Sequence, residues 1–312
     1  MPKRMVNTKS ISRDEWLELR RNSIGGSDAG AILGMSEWGS PITVYANKLG
    51  LKEDKPTTEA MRLGTDLESY VAQRFTEATG KKVRNDNYMY QHDVYPFITA
   101  NIDRVVVGEN AGLECKTMNS FKHYDFDNGE VPSVYYCQCQ HYMLVMGYER
   151  MYLCVLQFGV GVFVVTIDRN EEFIMQMLDA EVDFWKNHIE KKVMPGPMTE
   201  DDQKTVAELY PESNEGEIEL QGLDAICTTI EKHEESIKFH EGEVKRLKAA
   251  IELMLKENGR GYSDGYKVSW LTQERKTVDS KRLKAECPEL YAKFIKTSTS
   301  RPLRITKKKG SK

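Results

Sequence analysis

Two stretches decide the reading of this chain: Phe-Ile-Thr-Ala-Asn-Ile-Asp at residues 97–103 and Gly-Leu-Glu-Cys-Lys-Thr at residues 112–117, separated by a Gly108-Glu109-Asn110 turn. Both alternate between apolar and polar residues, which predicts two strands. Residues two apart on a strand share a face, so Glu114 and Lys116 point one way and Leu113 and Cys115 the other. If the strands pair as a hairpin, Asp103 joins Glu114 and Lys116. Two carboxylates and an ammonium side by side are costly to bury unless something uses them. A magnesium ion does: it takes hard oxygen ligands, often one or two carboxylates together with substrate phosphate. The lysine then orients or deprotonates a water, the arrangement for metal-assisted phosphodiester hydrolysis. A Glu and a Lys two apart also occur on ordinary solvated strands, so the pattern gains weight only from its surroundings.

Four further segments supply those surroundings. Residues 61–80 read as a helix stopped by Gly80, with Glu68, Ala72 and Phe75 on one face at i, i+4 and i+7. Glu68 therefore borders the buried stripe; a solvated surface Glu is the plainer alternative. Residues 133–147 read as a helix with Ser133 as N-cap after Pro132. Gln140 shares its face with Tyr136, Met143, Leu144 and Gly147, and Gln138 lies about 200° away around the axis. A glutamine on an apolar face needs partners, supplied either by an active site or by backbone. Ser12-Arg13-Asp14-Glu15 is a capping box opening a short helix that ends near Arg20-Arg21. Residues 24–33, Ile-Gly-Gly-Ser-Asp-Ala-Gly-Ala-Ile-Leu, look like a turn entering a helix N-terminus, a place that offers free N–H groups to an anion. Spacing alone favours a plain Ser27 N-cap there, and the G-x-x-x-x-G-K pattern of a nucleotide loop is missing.

Taken together, R-x(6)-S at Arg20 and Ser27, G-x-x-x-E at Gly64 and Glu68, N-x-D at Asn101 and Asp103, E-C-K at 114–116 and Q-x-Q-H-Y-M at 138–143 resemble the YqaJ-type viral recombinases. These form the lambda-exonuclease group of the PD-(D/E)xK nuclease superfamily. The resemblance spans roughly residues 12–195. It implies an α/β fold with a restriction-endonuclease-like core. It implies that Glu68, Asp103 and Glu114 are acidic metal-site residues with the Cys115 carbonyl as a further ligand, for Mg²⁺ with Mn²⁺ able to substitute. Lys116 would activate the water and Gln140 would help hold it. Arg20 and Ser27 would grip the 5′-phosphate of DNA. Asn101, a third phosphate contact by position, departs from the serine of the lambda enzyme. The implied activity is 5′→3′ digestion of one strand of linear double-stranded DNA, leaving a 3′ single strand for phage-type recombination. The implied partners are duplex ends, a single-strand annealing protein and copies of the same chain in a trimeric ring. Two alternatives stay open: a structure-specific or restriction-like endonuclease, and a non-catalytic DNA-binding scaffold. Intact Asp103, Glu114 and Lys116 weigh against the scaffold.

Global composition agrees with a nuclease core and an appendage. The chain has 312 residues, 40% of them hydrophobic, enough for a packed core. It shows no apolar run long enough for a bilayer, and Met-Pro-Lys-Arg-Met lacks a signal-peptide apolar region, so a cytoplasmic protein of a bacterial host cell is expected. Cysteines stand at 115, 137, 139, 154, 227 and 287; one C-x-C pair is no metal or cluster framework. The net charge of −4 hides an asymmetry, because residues 276–312 hold 12 Lys or Arg against 3 Asp or Glu. A basic tail neutralises phosphates or simply solubilises a disordered end.

The expected organisation is a nuclease core at 1–215, a helical segment at 216–260 and a small basic module with tail at 261–312. In the core, residues 12–58 give two helical pieces, residues 151–158 and 162–167 a hairpin, and residues 170–192 a closing helix. In the second segment Leu223, Ile230, Ile237, Val244 and Ile251 recur every seven residues, with Ile226, His233, His240, Leu247 and Met254 three further on. That seam makes one long helix or a helical hairpin broken near Gly242. In the last segment Tyr262, Tyr266, Val268 and Trp270 alternate around a Ser263-Asp264-Gly265 turn, and residues 301–305 read as a final strand. Its aromatics and cations suit single-stranded DNA or packing against the core.

Overall fold

The structure, a computed structural model, describes residues 2–52, 57–121 and 124–308. Lys309 and the rest of the basic tail lie outside these described residues. Chain contacts divide the protein into two compact units, Met1–Tyr210 and Pro211–Lys312.

The first unit runs β1 (Lys3–Asn7), α1 (Arg13–Arg21), α2 (Gly26–Ile32), α3 (Pro41–Lys48), α4 (Glu59–Thr79), β2 (Val83–Asn85), β3 (Tyr88–Gln91), β4 (Thr99–Ala100), β5 (Arg104–Val106) and β6 (Ala111–Met118). It continues with α5 (Ser133–Met146), β7 (Arg150–Gln157), β8 (Gly161–Asp168), α6 (Glu171–Asp183), a π-helical turn at Phe184–Ile189 and α7 (Asp202–Leu209). The main sheet has the order β2-β5-β6-β7-β8, and β1-β3-β4 form a small second sheet. Only β6 and β7 run parallel in the main sheet. A parallel pair needs a long crossover, and α5 is part of it. The result is the expected α/β architecture, a mixed sheet flanked by helices. On one face Val71, Ala72 and Phe75 of α4 pack against Leu113, Tyr152 and Cys154. On the other, Met143 of α5 and Ile174 and Met177 of α6 join Leu153 and Val155 in the larger core.

Four local expectations change. Residues 97–103 do not form one strand. Thr99 and Ala100 pair with β3, held there because Ile24 bridges this stretch, its N–H donating to the Phe97 carbonyl at 2.6 Å and its carbonyl accepting the Thr99 N–H at 2.8 Å. The chain then bends and re-enters the main sheet as β5, so the alternation conceals a change of partner. Residues 12–58 hold three helices, not two, and α2 is capped by Gly25 rather than Ser27. The glycines of α2 serve packing. A Cβ on Gly26 would lie 2.7 Å from Tyr142 Cε1 and one on Gly30 2.9 Å from Val134 Cγ2, so α2 rests directly on α5. In α5 the N-cap is Pro132, not Ser133. The capping box at Ser12 forms, with Glu15 N–H to Ser12 Oγ at 3.2 Å and Ser12 N–H to Glu15 Oε2 at 2.7 Å.

The second unit holds α8 (Leu223–Leu255), β9 (Arg260–Tyr262), β10 (Lys267–Ser269), α9 (Ser280–Glu286) and α10 (Pro288–Phe294). α8 is one unbroken 33-residue helix. Gly242 faces open space, so nothing there forces a turn. Ile226, Ile237, Val244 and Ile251 of the heptad seam are exposed. β9 and β10 form the expected hairpin. Residues 301–305 are not a strand. Helix starts dominate this region instead: Asp279 Oδ1 accepts the amides of Lys281 and Arg282 at 3.1 and 3.0 Å, and Pro288 opens α10.

Candidate active site

The site forms where β5 stops short. Its pairing with β6 ends at Arg104 opposite Leu113. Two residues on, the Cys115 N–H points to the same side and finds no strand; the Asp103 carboxylate takes its place, accepting that N–H on Oδ2 at 2.8 Å. A residue of a strand turns its N–H and C=O to one side, so the Cys115 carbonyl faces this open edge as well. Glu114 and Lys116 stand on the α5 face of β6, with Lys116 Nζ 2.6 Å from Glu114 Oε1. Cys115 sits with the α4 cluster on the other face. Glu68 reaches in from α4 and pairs with Arg104, which also donates to the Asp103 carbonyl at 2.7 Å. The structure thus brings Asp103, Glu114, Lys116, Cys115 and Glu68 together at one sheet edge.

The electrostatics of this edge are unfavourable as it stands. Burial pushes the Asp103 carboxyl well above the usual carboxylate range, and Glu114 and Glu68 push it further. Burial by itself would depress the Lys116 ammonium, but Glu114 and then Asp103 outweigh it and hold the group above its ordinary value. Glu114 is 3% exposed, and its Oε2 is buried with no hydrogen-bond partner. A buried acceptor left unpaired is uncommon and costly. Among the described residues no three His, Cys, Asp or Glu side chains form a ready metal cage. A buried and a half-buried carboxylate, with one carboxylate oxygen free, and an edge carbonyl nevertheless fit the chemistry of a hard divalent cation that completes its shell with substrate oxygen and water.

Arg20 and Ser27 also meet. Arg20 Nη2 donates to Ser27 Oγ at 2.6 Å, and its guanidinium lies 4.9 Å from the centre of the Trp16 ring. Behind them Lys48 Nζ pairs with Asp28 at 2.7 Å and donates to the Arg20 carbonyl at 2.7 Å. With Gly25 as cap, Ser27 sits in the first helical turn and its hydroxyl is available to Arg20. Asn101 is half-buried in the bend between β4 and β5.

The glutamine that the structure places against Glu114 is Gln138; the expected Gln140 lies elsewhere on α5. Gln138 Nε2 donates to Glu114 Oε1 at 2.7 Å and to the Tyr142 hydroxyl at 2.8 Å. Gln140 serves the β8–α6 connection, donating to the Asp168 carbonyl at 2.9 Å and accepting the Asn170 N–H at 3.0 Å. The face criterion fails because α5 has no solvent face: Cys137 through Met143 are all buried. The i, i+4 pair Gln138–Tyr142 was the available signal, since Tyr142 also packs on Gly26. Gln138→Ala should lower activity roughly 10²-fold at temperatures well below its melting point. Gln140→Ala should cost about 1–3 kcal/mol of stability with activity retained at low temperature. Thermal melts beside single-turnover rates check this; the opposite assignment of effects would restore Gln140 to the site.

One neighbouring network was not legible in the sequence. His141 and Glu181 are both fully buried, with His141 Nδ1 2.8 Å from Glu181 Oε1 and Nε2 2.8 Å from the Thr99 carbonyl. Both ring nitrogens face oxygen acceptors, an arrangement that favours the imidazolium form. Burial alone would lower its pKa; Glu181, then the Thr99 carbonyl, raise it above the ordinary value. This pair ties α5 and α6 to the strand that leads into Asp103.

The signature of the YqaJ-like viral recombinase domain matches residues 15–149, a span containing every residue of this edge. The chain is 33% identical over 302 residues to "Uncharacterized protein YqaJ" of Bacillus subtilis (strain 168), covering 94% of this chain and 93% of that protein. Among solved structures it is similar to an alkaline exonuclease, LHK-Exo, from Laribacter hongkongensis, at 20% identity and TM-score 0.49. LHK-Exo in complex with dAMP aligns at 19% identity and TM-score 0.50, over 63% of this chain and 99% of that one. At 19% identity this second likeness bears on the fold alone.

Proposed function

This chain belongs to the YqaJ-like viral recombinase family, and on that premise we propose that it is a metal-dependent DNA nuclease acting at the β6 edge. The observation that carries the reading is the buried Glu114, its Oε2 atom left unpaired, beside the half-buried Asp103 and Lys116. Asp103, Glu114 and the Cys115 carbonyl would hold the ion, Mg²⁺ by preference, with Glu68 released from Arg104 as a further donor. When bound, the ion supplies charge for the phosphate and acidifies a water. Lys116 enters as an ammonium, since Glu114 and Asp103 favour that form. It donates to the attacking water or to charge developing on the phosphate, and the donor stabilises the transition state more than the ground state. Gln138 fixes Glu114 and so the direction of its free oxygen.

The finer reading is a 5′→3′ exonuclease on duplex ends that leaves 3′ single strands for an annealing protein, working as a ring of like subunits. Its support is the family and the Arg20–Ser27 pair. Linear duplex labelled at 5′ or 3′ ends, compared with covalently closed duplex in Mg²⁺, tests it directly. Loss of the 5′ label from linear DNA alone is expected; cutting of closed circles would make the protein an endonuclease, and no cutting a scaffold.

A 5′-phosphate should speed digestion over a 5′-hydroxyl, and Arg20→Ala should erase a preference of roughly tens-fold, because an Arg–phosphate bond is charge-assisted. Equal initial rates on the two ends in the unaltered protein would remove Arg20 and Ser27 from the site.

A further inference from the structure

One large apolar side chain beside the edge has no role in the chemistry above. Trp38 is 61% exposed, although a tryptophan gains most by burial. Its loop is not loose. The Met35 N–H bonds to the Gly30 carbonyl at 2.8 Å, the Trp38 N–H to Ser36 Oγ at 3.1 Å, and Ser40 both caps α3 and bonds the buried Asp202. The indole lies against Tyr135, with ring centres 5.9 Å apart and planes tilted by 33°. The Tyr135 ring in turn lies 5.1 Å from Lys116 Nζ. These two contacts put the indole within about 11 Å of the reacting lysine, about three stacked base steps of a nucleic acid strand. An ordered, solvent-facing aromatic at that distance from a phosphate site meets the base of a neighbouring nucleotide.

We propose that Trp38 is a base-stacking subsite, receiving a nucleobase of a single DNA strand within about three nucleotides of the phosphate held at Asp103, Glu114 and Lys116. The position of that phosphate rests on the nuclease reading. Stacking is tolerant of base identity because every base has a π-face, so the subsite holds the strand without selecting its sequence. Lys116 and Tyr135 keep the indole in register with the edge, and Tyr135 is buried behind it.

The test uses the full-length protein and two readouts. The first is anisotropy of a short fluorescein-labelled oligothymidylate in EDTA, where no cleavage occurs. Trp38→Ala should weaken binding roughly 10-fold and Trp38→Phe less; exposure of the side chain keeps both variants folded, checked by melting. The second is single-turnover digestion in Mg²⁺ of duplexes carrying one abasic site, stepped along the digested strand. The unaltered protein should slow roughly 10-fold when the missing base passes the indole, and Trp38→Ala should lack that pause. Equal affinities together with an unchanged pause pattern overturn the subsite while leaving the nuclease reading intact. Trp38-dependent binding without any cleavage of linear duplex supports stacking and overturns the nuclease reading instead.

Discussion

Asp103→Asn and Lys116→Met should each lower the proposed Mg²⁺-dependent cleavage by roughly 10²–10⁴-fold. Asparagine keeps an acceptor for the Cys115 N–H but cannot supply charge to a cation. Methionine keeps the apolar stem of Lys116 beside Tyr135 and removes only the ammonium. The same substitution at 103 has a second, opposite consequence. Burial, Glu114 and Glu68 raise the Asp103 pKa, so ionising it costs folding free energy as pH rises through the raised value. Asp103→Asn should therefore raise the melting temperature in EDTA at neutral pH while abolishing activity. Single-turnover digestion of labelled linear duplex and thermal melts with and without Mg²⁺ check both halves. Cleavage within tenfold of the unaltered rate for either variant would remove the edge as the reacting site.

Breaking the His141–Glu181 pair costs about 3–5 kcal/mol, because the surviving partner is left buried and uncompensated. His141→Ala strands Glu181, whose Oε2 already lacks a hydrogen bond. The pair also sets a pH dependence. The folded pKa of His141 is raised, so its contribution is complete below the unfolded value of about 6.5. It is lost as pH rises through the folded value. Glu181 and Asp28 raise that folded value, and His92 is close enough to feel the charge. Stability against urea, measured from pH 5 to 9, should fall toward the alkaline side, and Glu181→Gln should flatten the fall. A flat profile in the unaltered protein would mean the ring is neutral. Because Thr99 leads into the Asn101–Asp103 bend, partial loss of the pair should also loosen Asp103.

The mixed sheet, the helix carrying Glu68 and the β7–β8 hairpin were legible because each has a local signature: alternation, a glycine stop, a short turn. Glu114 and Lys116 were legible as neighbours because E-x-K spacing on a strand fixes a shared face; Asp103 joins them from the bend before β5, through the Cys115 N–H. What failed was anything set by tertiary partners. The alternation of residues 97–103 is real, yet the strand changes sheets within it because Ile24 captures Thr99. Gln138 and Gln140 are indistinguishable by periodicity on a helix buried all round. His141 and Glu181 lie 40 residues apart, and nothing in either neighbourhood announces the other. Residues 301–305 alternate as a strand does, but the β9–β10 sheet has two strands and neither pairs with them.

The position of β6 has a consequence for how the site is lost. β6 is the middle of five strands, and all eight of its residues pair with β7. Those of its amides that turn toward β7, on the side opposite the Cys115 N–H, therefore exchange with deuterium only when the sheet comes apart, among the slowest in the unit. The β9–β10 hairpin, two strands of three residues each, opens far more often. A population with fraying ends and an open hairpin thus keeps an assembled Glu114 and Lys116, and thermal inactivation tracks global melting of the first unit rather than any earlier local event.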